Sequence, residues 1–154
     1  MDAITLLKAD HKKVGGLLKE IDELGDTAHA ARAKVFAEVK RELTAHSEVE
    51  EKIFYPAFKA KTKKNTEPGD EVLEAYEEHA NVKAMLEKIA ALDPTDETYN
   101  AKLQVMGELV KHHVKEEEGE MFPQAHKLMD ESELKDLGEK ISAAKDRMLA
   151  RASS

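Results

Sequence analysis

The sequence predicts an all-α protein, an up-down-up-down antiparallel four-helix bundle with one added C-terminal helix, on three observations. Of its 154 residues 36% are charged and only 5% aromatic, with 7 Gly and 4 Pro, a balance that suits Lys/Glu/Ala/Leu helices and not sheets. Clusters of turn-forming residues cut the chain into five segments of helical length. Within those segments the apolar residues recur at spacings of three and four, and the pattern of the first two segments returns in the third and fourth.

The first segment carries Ile4, Leu7, Val14, Leu18 and Ile21 on one stripe, with His11 in the one slot left open, and Gly25-Asp26-Thr27 ends it, Gly25 standing where a C-terminal cap falls. The second runs through Phe36, Val39, Leu43, His46, Glu50, Ile53 and Ala57 to the break at Asn65-Thr66-Glu67-Pro68-Gly69-Asp70. The third repeats the frame of the first with Val72, Ala75, Val82, Leu86 and Ile89, His79 filling the matching slot, and stops at Asp93-Pro94-Thr95. The fourth repeats the second through Leu103, Met106, Val110, His113, Glu117, Glu120 and Gln124, and Asp130 to Ser132 closes it. A shift of 68 carries His11 onto His79, and a shift of 67 carries His46 onto His113, Glu50 onto Glu117 and Pro56 onto Pro123, so the chain reads as a duplicated helical hairpin spanning 1–128. Pro56 and Pro123 each lack a donor and crowd the preceding turn, which predicts a kink or a helix end at both. The segment 129–154, with Leu134, Leu137, Ile141 and Met148, is an addition that either packs on the bundle or makes a homodimer contact, leaving monomer and homodimer both open.

A formal charge of −8 argues against nucleic-acid and anionic-membrane partners; the densest basic run, Lys59, Lys61, Lys63 and Lys64, is expected in a loop. The absence of cysteine excludes disulfides, thiolate metal sites and cysteine nucleophiles. With no apolar run near the roughly 20 residues of a membrane span and no signal-peptide core, a cytoplasmic protein is expected.

Six polar residues stand where the helical stripe calls for Leu or Val: His11, His46, Glu50, His79, His113 and Glu117. A Glu one turn after a His puts both on one helix face about 6 Å apart along the axis, and two helices do this while the other two each add one imidazole. Two carboxylates facing each other in a core need compensating charge, and a pair of divalent cations supplies it. Four imidazoles and two carboxylates suit iron, manganese or zinc; copper would want sulfur and calcium more oxygen. If both carboxylates bridge, each metal has two His and two carboxylate oxygens, with about two octahedral positions left for other ligands. Leu7, Val14, Val39, Leu43, Val82, Met106 and Val110 are the expected apolar walls. Glu51 and Glu118, one residue past the bridging candidates, should flank the seam as outer-shell or exposed groups, while a rotated frame would make them ligands in place of Glu50 and Glu117. Tyr76 and Tyr55 are candidates for a further ligand or an outer-shell role, although packing is the ordinary use of a tyrosine at a seam edge. His112, about 100° around the helix from His113, should face solvent, and His29 and His126 should be surface residues.

The stretches Leu7-Lys8-Ala9-Asp10-His11, His46-Ser47-Glu48-Val49-Glu50-Glu51 through Phe54-Tyr55-Pro56, Tyr76-Glu77-Glu78-His79, and His113-Val114-Lys115-Glu116-Glu117-Glu118 through Met121-Phe122-Pro123 resemble the hemerythrin-like, HHE cation-binding domains. The resemblance covers about residues 1 to 128. It implies a non-heme di-iron site, two irons bridged by an oxo or hydroxo group, with manganese or zinc less favoured, that takes dioxygen, peroxide or nitric oxide. The oxygen-carrying hemerythrins have a second histidine one turn before the position of His79, where this chain has Ala75, so the resemblance implies a site short of one imidazole. That departure favours turnover of peroxide or a nitrogen oxide, or sensing of oxygen or iron, over reversible oxygen carriage. Three classes follow: a reactive site, of which peroxide decomposition needs the fewest extra parts; a sensor or storage module; and a plain helical interaction protein.

Overall fold

A computed structural model describes residues 1–63 and 66–152. It contains five helical rods. Helix α1 is Ala3–Glu23; α2 spans 29–60; α3 is Glu67–Ala90; α4 spans 99–128; and α5 is Glu131–Ala152. The short connections make α1/α2 and α3/α4 antiparallel hairpins, and the two hairpins assemble into the expected bundle, with α5 laid against α1 and α2. Local chemistry fixes the ends. Asp2 caps α1 by accepting from the Thr5 N–H at 2.8 Å, and Asp130 does the same for α5 from Glu133 at 2.8 Å. Helix α1 stops at Glu23 with Leu24 as its cap, one residue before the glycine the sequence favoured. Lys59 lies in the last turn of α2, with Lys61 and Lys63 in the connection, so the basic run is only partly a loop; Lys64 and the breaker Asn65 lie outside the described residues.

Neither α2 nor α4 ends at its proline. Each inserts a π-helical turn just before it, Glu50–Phe54 in α2 and Glu117–Met121 in α4, closed by the Tyr55 N–H donating to the Glu50 carbonyl and the Phe122 N–H to that of Glu117. The wide turn relieves the proline's clash with the carbonyl four residues back. It also slips the buried stripe. Past the carboxylates the core takes Phe54, Tyr55 and Phe58 in one helix and Met121, Phe122 and Ala125 in the other, in place of the expected Ile53, Ala57, Glu120 and Gln124. Glu120, which falls on the apolar stripe in the sequence and is expected to reach water near Pro123, is exposed, and the slipped stripe is the reason.

The core has two apolar clusters. One, holding Ile4, Leu7, Phe54, Phe58, Phe122 and Ile141, joins one end of the bundle to α5; the other, holding Val14, Leu18, Phe36, Val39, Leu86 and Met106, fills the opposite end. The polar seam residues form a layer between them. Helix α5 contributes Leu134, Gly138, Ile141 and Ala144 to the buried set, with Leu137 and Met148 packed at its margin, so its apolar face is used on its own bundle.

Candidate metal centre

The structure brings all six predicted seam residues together and buries them: His11, His46, Glu50, His79, His113 and Glu117 are each at most 8% exposed. They divide into two sets of potential ligands, His11, His46, Glu50 and Glu117 on one side and Glu50, His79, His113 and Glu117 on the other, each set with its donor atoms within 4.8 Å of one another. Donors about 2.0–2.2 Å from one ion lie up to about 4.4 Å apart, close to the spread of each set. The two carboxylates belong to both sets. Glu117 Oε1 lies 2.9 Å from His11 Nε2 while its Oε2 lies 3.2 Å from His113 Nε2, and Glu50 Oε1 lies 2.9 Å from His46 Nε2 and 3.1 Å from His79 Nε2. His11 Nε2, His46 Nε2, Glu50 Oε2 and Glu117 Oε1 are buried without a well-aligned hydrogen bond among the described residues, although His11 Nε2 lies 2.9 Å from Glu117 Oε1 and His46 Nε2 lies 2.9 Å from Glu50 Oε1. Buried polar atoms are almost always paired, so four unpaired ones converging on one layer fit a pair of cations. A donor set of imidazole and carboxylate, with no sulfur, fits a first-row divalent metal.

Each imidazole is aimed from behind by its own carboxylate, which accepts the Nδ1 proton and turns Nε2 inward. His11 Nδ1 meets Glu118 at 2.6 Å and His79 Nδ1 meets Glu51 at 3.1 Å; His46 Nδ1 meets Asp10 at 2.9 Å and His113 Nδ1 meets Glu78 at 2.8 Å. Glu51 and Glu118 thus stand behind the imidazoles of His79 and His11. The sequence reading did not single out Asp10 and Glu78, yet the signal was there: each immediately precedes a seam histidine, and the duplication relates them.

The electrostatics are those of a core that holds its charge with protons when no metal is bound. Burial alone would depress the His46 imidazole, but the charge of Glu50 and hydrogen bonds to Asp10 and Glu50 overcome it and push His46 up to about 10. Glu117, Glu50 and Glu78 likewise outweigh burial at His113 and carry it to about 12. Burial raises Glu50, yet His46 and the surrounding hydrogen bonds hold it well below the usual carboxylate range.

Tyr55 is a member of the site. Its hydroxyl donates to Glu117 Oε2 and lies 3.2 Å from Glu50 Oε1, 3.2 Å from His79 Nε2 and 3.3 Å from His113 Nε2. Packing, the ordinary expectation for such a tyrosine, is therefore not its whole role. The π turn is the reason: in a regular helix a residue five positions on points about 140° away, whereas the wider turn stacks Tyr55 over Glu50. Tyr76 does not reach the donor atoms; its hydroxyl donates to the Glu51 carbonyl at 3.1 Å and its ring braces Tyr55 edge-on at 5.4 Å. The residue matching Tyr55 in the second hairpin is Phe122, stacked on His11 at 5.8 Å, so only the His79/His113 side has a phenol. Ala75, where a further imidazole would have come from, is buried and offers no donor. His112 and His126 are exposed as expected, and His29 is half-buried.

Above the histidines, toward the second apolar cluster, lies a cavity of ≈ 20 Å³ walled by Val14, Leu43, Val82, Val110 and Val114, with Asp10 and Ser47 at its edge. Of the predicted walls, Val39 and Met106 pack within that cluster and Leu7 in the other, and none of the three lines the cavity. One water-sized sphere needs roughly 10–15 Å³, so the space suits a diatomic or a peroxide.

No helix among the described residues is long and apolar enough to cross a membrane. Residues 2–125 match the hemerythrin HHE cation-binding domain. The chain is 26% identical over 144 residues to the uncharacterized protein Rv2633c of Mycobacterium tuberculosis, covering 93% of this chain and 84% of that protein. It is also 26% identical over 151 residues to a DNA nickase of Nostoc sp., covering 98% of this chain but only 41% of the nickase. The crystal structure of a hemerythrin HHE cation-binding domain-containing protein from Mycobacterium kansasii, a homolog of Rv2633c, superposes with a TM-score of 0.84 at 26% identity, over 99% of this chain and 90% of that one. With the family match spanning both hairpins and every seam histidine and carboxylate, the chain belongs to the hemerythrin HHE cation-binding domain family.

Proposed function

We propose that this protein is a non-heme di-iron protein that binds and reacts with a small oxygen or nitrogen-oxide species, with peroxide decomposition the reaction that needs least beyond the centre itself. The observation that carries this reading is the sharing of Glu50 and Glu117 between two histidine pairs directly beneath a cavity of diatomic or peroxide size. His11 and His46 would hold one iron, His79 and His113 the other, with Glu50 and Glu117 bridging them. When bound, such a pair supplies Lewis acidity and electrons to a small ligand.

The chain's own residues do the rest. The four outer carboxylates hold the imidazoles in one tautomer and orientation, so little reorganisation is needed when the ligand arrives. Val14, Val82 and Val110 give the histidine side an apolar wall. Tyr55 closes the opposite side. Burial raises its hydroxyl well above 10, and the charges of Glu50 and Glu117 raise it further, so it keeps its proton and offers it to Glu117 Oε2. With a metal held by His79 and His113, the same oxygen would be a further donor beside it.

Elemental analysis of protein made in iron-supplemented cells tests the reading directly. About two irons per chain are expected, with oxygen evolution from added peroxide well above that of free iron. Helical protein with near-zero metal after iron supplementation would overturn the di-iron reading. Two irons without peroxide decay or nitric oxide binding would overturn the reactive reading in favour of a sensor or store whose output is metal occupancy.

A further inference from the structure

The two halves of the centre differ in their outer shell as well as in Tyr55. On the His79/His113 side, the second oxygen of Glu78 faces His112, which is 3.5 Å away and largely exposed. On the His11/His46 side, the second oxygen of Asp10 is bound by Lys145, which comes from α5 and has no counterpart in the duplicated hairpin. The side chains of Lys145, Asp10 and Glu42 are 19%, 9% and 3% exposed, and Lys145 also lies 3.4 Å from Glu42 Oε2, whose other oxygen accepts from Lys13 at 2.8 Å. Lys13, Glu42, Lys145 and Asp10 thus form an alternating chain of charges that ends on His46 Nδ1. The family match stops at residue 125, so this chain is built partly from sequence the family pattern does not include.

We propose that Lys145 is a positioning residue for the His11/His46 half of the centre: from the C-terminal helix it holds Asp10 against His46, so that α5 sets the affinity of one metal position and not the other. The inference rests on the two-metal reading above. Its physical basis is the isolation of Asp10. A carboxylate this buried, stripped of its cation, turns toward water, and His46 loses the acceptor that fixes its ring. Lys145 cannot act on His79 or His113 in the same way, because their acceptors are Glu51 and Glu78.

The test is titration of the metal-free, full-length chain with cobalt(II), followed by visible absorption, in the wild type and in K145M, K145R and E78Q. The wild type should take up two equivalents. K145M, with wild-type helicity by circular dichroism, should bind one of them about 10- to 100-fold more weakly, the range for losing an outer-shell partner, and the other unchanged. K145R should restore the wild-type isotherm, which a loss of mere packing by α5 would not explain. E78Q should weaken the equivalent that K145M spares. In a D10N background K145M should cost nothing further, since Lys145 acts through Asp10. An unchanged K145M, a parallel fall of both equivalents, or additive losses with D10N would overturn the inference. A wild type that takes up fewer than two equivalents would overturn the two-metal reading itself, and this inference with it.

Discussion

A hydroxyl group is one of the differences between the two halves of the duplicated core. Tyr55 and Phe122 occupy matched places one π turn past Glu50 and Glu117, yet one donates into the carboxylate pair and the other lies flat against His11. The hydrogen bond from Tyr55 goes to a charged, 1% exposed side chain, the kind that contributes most. Tyr55→Phe should therefore destabilise the metal-free protein by about 1.5–3 kcal/mol in urea unfolding. On the proposed two-metal reading, the same change should weaken the metal on the His79/His113 side and leave the His11/His46 side as it was. A variant that unfolds with the wild type and retains its visible spectrum would show that the hydroxyl only fills space. The bridging carboxylates answer to a different logic. Glu50→Gln removes a negative charge from both metal sets at once, so both metals should be lost together, in contrast to the one-sided loss expected at Tyr55; metal content per chain checks it.

At the scale of helices, the π turns mark where the sequence stops being readable by periodicity. Up to Glu50 and Glu117 the spacing of three and four holds, because these stretches are regular α-helix: the four histidines and both carboxylates fall on the expected face, and the duplication that links them is visible in the letters alone. Beyond those residues the extra backbone residue per turn rotates the stripe, and Phe54, Tyr55, Phe58 and Met121 take core places that a 3.6-residue repeat assigns to Ile53, Ala57 and Glu120. Pro56 and Pro123 announced a disturbance, but a missing donor does not say whether a helix will end, bend or widen. Lys145 was illegible for another reason, since nothing in a helical stripe says which exposed-looking lysine will reach a carboxylate on a different helix. Helix α5 also depends on Gly138, where an added Cβ would run into the Met1 carbonyl oxygen and the Asp2 carbonyl carbon. The obstacle is backbone, which cannot swing aside as a side chain would. Gly138→Ala should lower stability by about 1–3 kcal/mol in thermal unfolding, despite alanine's advantage within a helix. A more stable variant would mean that the N-terminal residues simply yield.

For the molecule as a whole, the metal-free and metal-loaded proteins should respond to pH in opposite ways. Without metal, the core balances its buried carboxylates with protons on His46 and His113, whose folded values of about 10 and about 12 lie above the ordinary 6.5. A group raised in the folded state stabilises most below its unfolded value and ceases to do so as pH climbs through the folded one. The metal-free protein should therefore lose stability steadily as pH rises from 6.5 through about 10. At the acid end Asp10, Glu42, Glu50 and Glu78 all sit below their ordinary values, burial being outweighed at Asp10, Glu42 and Glu50 by neighbouring cations and hydrogen bonds, and at Glu78 chiefly by the hydrogen bond from His113. Their contribution is present above the unfolded values of 3.8 to 4.5 and disappears as pH falls through the folded ones. A metal-free chain most stable in mildly acidic solution is the result. Metal binding reverses the alkaline limb, because a cation needs the Nε2 lone pairs that the protons occupy: loading must expel protons, and affinity must rise with pH. Unfolding temperatures measured from pH 6 to pH 10, with and without a chelator, should diverge progressively, and zinc added to lightly buffered metal-free protein near pH 7 should acidify the solution. Parallel curves and no proton release would mean that the six buried residues neutralise one another without help from a metal, and the two-metal reading would fall.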